Sequence, residues 1–140
     1  MAEPTLGIPR PKVRLDSDNR AFWTGGADGK LMIHRCGDCG FWLHPPQPVC
    51  RNCLSENVAP QPVSGRGTVD SYTVNHQPWA PGLKVPFVIA RIALDDAEGV
   101  ILTSNIVHCE PHEVQFGDRV QVLFEEQDGL FYPLFERVPA

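Results

Sequence analysis

Two Cys-x-x-Cys pairs, Cys36-Gly-Asp-Cys39 and Cys50-Arg-Asn-Cys53, constrain this chain more than any other feature. Two intervening residues let the backbone turn sharply enough for both sulfurs of a pair to face one point, as a tetrahedral four-sulfur zinc site requires. Ten residues separate the pairs, which suits a short hairpin running out through Phe41-Trp42-Leu43-His44 and back past Pro45-Pro46-Gln47-Pro48. Redox or merely buried thiols are the competing reading, but a doubled motif at this spacing favours metal. Four protein sulfurs leave no position for water or substrate, so Zn2+ at Cys36, Cys39, Cys50 and Cys53 would be structural. It would replace the hydrophobic core that so few residues cannot build. His34 and His44 flank the cysteines, yet a completed sulfur shell leaves them no role as ligands.

The 140 residues suffice for one ordinary domain or two small ones, and the cysteine hairpin points to two. No stretch approaches the roughly 20 apolar residues of a membrane span. The start has no basic region followed by an apolar run, which predicts a cytoplasmic protein whose reduced thiols are free to take metal. Cys109, left over, reads as a small core residue. Residues 1–93 carry ten Lys and Arg against seven Asp and Glu, and residues 94–140 carry two against ten. With a formal charge of -5, the chain has no field to draw in nucleic acid.

Pro4, Pro9 and Pro11 mark an extended arm, expected on a surface or a partner. Asp16, Ser17 and Asp18 are good caps for a short helix through Arg20-Ala21-Phe22-Trp23, with Gly25-Gly26 as its stop. Leu31 to Arg35 reads as a strand entering the first cysteine pair, and Leu54 to Val63 as a turn and a connection stiffened by Pro60 and Pro62. Beyond Ser64 the pattern is that of short strands: 67–76, 87–95, 100–107, 119–125 and 130–135. In the first of these, Val69, Ser71, Thr73 and Asn75 alternate with Thr68, Asp70, Tyr72 and Val74, and neither face is cleanly apolar. Five strands with a compact connection over 110–116 match the Greek-key barrel called the OB fold. The expected fold is mainly β: an arm and short helix over 1–30, a zinc ribbon over 31–63, and a five-stranded OB-fold barrel over 64–140.

His108 and His112 bracket Glu110, but Pro111 breaks the helix that would align them, so a solvated turn is the better reading. The loop from His76 to Pro86 borders the usual ligand face of an OB fold and presents His76, Trp79 and Lys84 on a scaffold stiffened by three prolines. Trp79 is suited to stack on adenine or enter a partner's pocket, and Lys84 to meet a phosphate. The bland alternative is a rigid loop whose Trp covers the barrel end. Phe22, Trp23, the arm and Trp79 are apolar groups in segments too short to bury them fully, which nominates them for partner contact.

Several motifs in order, Phe22-Trp23, Arg35-Cys36-x-x-Cys39-Gly40, Pro45-Pro46, Cys50-x-x-Cys53, Ser64-Gly65-Arg66-Gly67-Thr68-Val69, Pro86-Phe87-Val88 and Phe116-Gly117-Asp118-Arg119-Val120, resemble one family. In it a rubredoxin-like zinc ribbon precedes an acyl-CoA-associated OB-fold domain, catalogued as domain of unknown function 35. The resemblance runs from about residue 16 to the end. It implies a non-catalytic accessory subunit in a hetero-oligomer with a thiolase-fold enzyme: a thiolase, an acyltransferase or a lipid-transfer-protein-like aldolase. It also implies acyl-CoA bound jointly with that partner. A nucleic-acid-binding or regulatory OB-fold module is the alternative from another class, and a stand-alone acyl-CoA carrier a third.

Overall fold

The structure, a computed structural model, describes residues 4–139. After the arm, helix α1 (Arg20–Thr24) continues as a 3-10 turn over Gly25–Asp28, and the stop comes at Gly29, whose φ of 69° is left-handed. The α-helix itself stops at Thr24 with Gly25 as its C-cap, as the sequence suggested, and the glycines also allow the following 3-10 turn to pass close to its neighbours. A Cβ on Gly26 would lie 2.5 Å from the Phe131 Cβ and 2.7 Å from the Phe124 ring. Only glycine lets this turn seat against the barrel.

Strands β1 (Leu31–Cys36), β2 (Trp42–Leu43) and β3 (Val58–Val63) form an antiparallel sheet in the order β2-β1-β3. The third strand corrects the expectation of a simple connection through residues 54–63. Pro60 and Pro62 are two residues apart, so their missing N–H groups fall on the same side, and β3 is an edge strand paired only with β1. Prolines are tolerated there because that side needs no donor.

Strands β4 (Arg66–Asn75), β5 (Phe87–Leu94), β6 (Ile101–Val107), β7 (Arg119–Gln127) and β8 (Leu130–Arg137) close into a barrel in the order β4-β5-β6-β8-β7. The parallel contact of β6 with β8 and the closure of β7 on β4 give the OB-fold connectivity. A 3-10 turn at Pro111–Glu113 joins β6 to β7. Inward residues of β5, namely Val88, Ala90, Ile92 and Leu94, are all buried.

The mixed faces of β4 have a local cause. The β4–β5 register shifts between Val69 and Ser71, so Asp70 is an extra residue in a bulge. Before it Gly67 and Val69 oppose Leu94 and Ile92; after it Tyr72 and Val74 oppose Ala90 and Val88. Counted across the bulge, the inward face is apolar throughout, because one inserted residue exchanges the two faces of a strand.

The arm packs on the surface of the chain's own barrel, one of the two places expected of it. Leu6 accepts the Lys84 N–H at 2.8 Å, Arg10 Nε meets Glu125 Oε2 at 2.8 Å, and Pro11 accepts the Tyr132 hydroxyl at 2.6 Å. Gln127 bonds Arg10 through both its amide oxygen and nitrogen, at 2.7 and 2.9 Å. Burial works to raise the Glu125 carboxyl, but hydrogen bonds from Arg10 and Thr5 outweigh it and hold the group below its ordinary 4.5. A carboxylate depressed in the folded state contributes stability above its unfolded pKa and loses it as pH falls through the folded one. The arm should therefore be ordered at pH 6 and loosen as acidification carries the pH below the ordinary carboxylate range. Heteronuclear NOE values of residues 5–10 should fall over that range in the native chain, and be low and nearly pH-independent in Glu125→Gln.

Candidate functional site

The two cysteine pairs fold into nearly equivalent knuckles. In the first, the Gly40 N–H donates to the Cys36 carbonyl at 3.0 Å; in the second, the Leu54 N–H donates to the Cys50 carbonyl at 2.8 Å. The residue four beyond the leading cysteine is left-handed in both, with φ of 79° at Gly40 and 66° at Leu54. Asp38 ties the knuckles together by accepting the Ser55 hydroxyl and, at 3.0 Å, the Asn57 side-chain amide. Arg35 braces the first knuckle, its Nε donating to the Gly40 carbonyl at 3.0 Å and its guanidinium lying 4.6 Å from the Trp42 ring centroid.

These turns bring the four sulfurs within 4.8 Å of one another, with Cys36 to Cys53 at 3.6 Å and Cys39 to Cys50 at 3.7 Å. Sulfurs about 2.3 Å from a tetrahedral zinc sit about 3.8 Å apart, whereas a disulfide brings them to about 2.05 Å. The donor set fits the metal and not the oxidised pairs. Cys36 and Cys50 are buried, and Cys39 and Cys53 face outward. Chiefly because the Asn52 side-chain amide donates to its sulfur, the Cys39 thiol is lowered to about 6. Deprotonated sulfur is the ligand form.

The histidines have other surroundings. His34 is buried on β1, and burial lowers its pKa against the opposing pull of Asp18. His44 lies outside the sulfur cluster, its ring 5.0 Å from that of Phe22, and burial with help from His34 pushes it down to about 4. His108 pairs with Glu136 at 2.8 Å in an exposed position, as expected of a solvated turn. Cys109 packs against the barrel core, and burial raises its thiol.

The proposed contact residues separate into two groups. Phe22 is 6% exposed and part of the chain's own core, with Trp23 edge-on at 4.9 Å and Trp23 in turn 5.3 Å from Tyr132. Phe22 is thus withdrawn as a surface anchor, because α1 is seated between the ribbon and the barrel. Trp79 is 77% exposed, its indole N–H held by Asn75 Oδ1 at 3.0 Å, and it covers no barrel end. His76 and Lys84 are exposed in the same loop. Sequence reasoning missed Phe116, which is 71% exposed on the β6–β7 connection with its ring 5.0 Å from Tyr72. An aromatic directly before Gly117-Asp118 was the available signal.

A ribbon closed by four cysteines and followed by an OB barrel defines a zinc-ribbon and OB-fold protein. Residues 23–59 match the family model described as the ChsH2 rubredoxin-like zinc ribbon domain, and residues 60–125 the model of the ChsH2 C-terminal OB-fold domain. A DUF35 domain-containing scaffold protein of Methanocaldococcus jannaschii is 34% identical over 103 residues, covering 71% of this chain and 72% of that protein. The chain belongs to the DUF35 family. A probable enoyl-CoA hydratase alpha subunit of Thermomonospora curvata is 36% identical over 128 residues, 90% of this chain, but this chain spans only 39% of that protein's length. A chain of the solved Ltp2-ChsH2(DUF35) aldolase superposes with a TM-score of 0.79 at 31% identity, covering 90% of this chain and 98% of that one. No helix among the described residues is long and apolar enough to cross a membrane.

The two knuckles make opposite choices at one backbone position. A left-handed non-glycine residue costs about 1 kcal/mol, partly offset in Leu54 because glycine is more flexible when unfolded. Leu54→Gly is expected to raise unfolding stability by about 0.5 kcal/mol, and Gly40→Ala to lower it by about 1 kcal/mol, in denaturant titrations of metal-loaded protein.

Proposed function

We propose that this chain is a non-catalytic accessory subunit of a thiolase-superfamily acyl-CoA enzyme, with the carbon–carbon bond chemistry carried by the partner. The observation that carries the reading is the match to nearly the whole of one chain of the Ltp2-ChsH2(DUF35) aldolase. Relatives named scaffold protein and hydratase alpha subunit support the same role. Within it, Cys36, Cys39, Cys50 and Cys53 hold a structural Zn2+ that keeps the ribbon folded, and the chain divides into arm and helix, ribbon, and barrel near residues 30 and 63.

Trp79 is the main anchor, since a large aromatic side chain held out by a hydrogen bond to Asn75 gives a partner pocket a rigid, preorganised insert. Trp23 contributes through its remaining exposed edge. His76 and Lys84, on the same loop as Trp79, are the groups through which the chain would reach an acyl-CoA held jointly with the partner.

Two experiments test this reading. Purified protein should contain one zinc per chain, and chelation should remove the amide dispersion of residues 31–63 while the barrel signals of β4 to β8 persist; retention of ribbon structure without metal would sink the structural role. Size-exclusion chromatography after co-expression with a thiolase-fold enzyme should give a stable complex. Trp79→Ala should weaken that complex by about tenfold or more, and an unchanged elution profile would remove the proposed anchor.

A further inference from the structure

The loop from His76 to Pro86 carries Trp79, yet none of its residues is buried. Such a loop is held only by its own turns and by the bonds it makes to the rest of the chain. Its base is the pairing of Asn75 with Phe87 across β4 and β5. Asn75 also pins the near end: its Oδ1 accepts the Trp79 indole N–H at 3.0 Å, and its Nδ2 donates to the Gln77 carbonyl at 2.8 Å. Among the described residues, one backbone hydrogen bond ties the far end to a distant segment. The Lys84 N–H donates to the Leu6 carbonyl of the arm at 2.8 Å.

Arm and loop meet through two turns. Residues 4–7 form one, with the Gly7 N–H on the Pro4 carbonyl at 3.0 Å and Gly7 at φ 80°. Residues 80–83 form the other, with the Leu83 N–H on the Ala80 carbonyl at 3.1 Å and Gly82 at φ 84°. A Cβ on Gly7 would lie 2.6 Å from the Gly82 carbonyl oxygen and 2.9 Å from Lys84 Cγ, and one on Gly82 would lie 3.3 Å from Ile8 Cγ2. Glycine supplies both the left-handed backbone and the room for this approach.

A carboxylate on β7 holds the arm's turn in place. One oxygen of Glu125 accepts both the Thr5 N–H, at 2.8 Å, and the Thr5 hydroxyl; the other accepts Arg10 Nε at 2.8 Å. Thr5 and Arg10 lie on either side of Leu6 and Gly7, so one side chain fixes the arm before and after the point where it meets the loop. Hydrogen bonds to an ionised acceptor are the stronger kind. The Glu125 side chain is 15% exposed, which shields them from water.

We infer that Glu125 is a positioning residue for the Trp79 loop, acting through the arm turn over residues 4–7. The far end of the loop is thereby anchored to β7, a strand with which it shares no hydrogen bond among the described residues. For its functional consequence this inference rests on the docking reading above and deepens it. The partner meets Trp79 on a loop that is ordered before binding, which lowers the entropic cost of association. Release of the arm then weakens docking without altering Trp79 itself.

Amide hydrogen exchange on the zinc-loaded chain alone tests the positioning role. In Glu125→Gln the Lys84 amide should exchange about tenfold faster than in the native chain or more, while Val69 and Val122, bonded within the barrel, keep their native rates. A general loss of stability would speed all three together and would count against the inference. Gly7→Ala, on the arm side of the contact, should give the same selective pattern. Native-rate exchange of Lys84 in both variants would overturn the positioning role, whatever any partner does. In the complex with a thiolase-fold enzyme, Glu125→Gln should weaken affinity about fivefold; a freed loop with unchanged affinity would overturn the functional consequence. Failure of the native chain to bind such an enzyme would strike the docking reading alone, since the exchange rates decide the positioning role without it.

Discussion

The ribbon rests on the convergence of four sulfurs. Its own cluster of buried residues consists of Cys36, Leu43 and Cys50, with Phe41 and Val58 packed against them, so two of its three central residues are metal-ligand types. The ribbon's other buried apolar residues, Leu31 and Ile33, belong to the core shared with the barrel, and apolar burial on the scale of its own cluster cannot offset the conformational entropy of ordering some thirty residues. Bonds from sulfur to zinc can. Once the knuckles are fixed, the hairpin between them presents His44 and Pro45 toward α1 and the barrel, and β3 leads directly into β4.

The two halves are joined through side chains as well as through the chain. Phe22 bridges them, touching His44 of the ribbon and joining the barrel core, while Gly26 lets the following turn rest on Phe124 and Phe131. The arm completes the junction by running from the β4–β5 loop to the β7–β8 end. It lies across a face that other OB folds leave open for ligands. A single-stranded nucleic acid would have to displace it and approach Glu125, which argues against the nucleic-acid reading on steric and electrostatic grounds together.

Much of this was legible in the sequence, where the information is local. The cysteine spacing and the almost unbroken apolar run of Phe87–Leu94 each specify their element within a few residues. Two features were masked by local effects: the inserted Asp70 exchanged the faces of β4, and Pro60 and Pro62 hid the edge strand β3. The arm was beyond reach for a different reason, since the partners of Arg10 lie 95 to 117 residues away in Asn105, Glu125 and Gln127. Likewise Phe22 looked like a surface anchor only because the groups that bury it come from the ribbon and the barrel. The exposed Trp79 was readable because its loop is too short and too rich in proline to fold over it.

In the proposed role this polypeptide supports chemistry done elsewhere, and a rate measurement addresses that most directly. Turnover of an acyl-CoA substrate by the thiolase-fold partner should be followed while this chain is titrated in. Activity is expected to rise and saturate at a fixed stoichiometry, with this chain inactive by itself. Full activity of the partner without it, or turnover by this chain alone, would contradict the account.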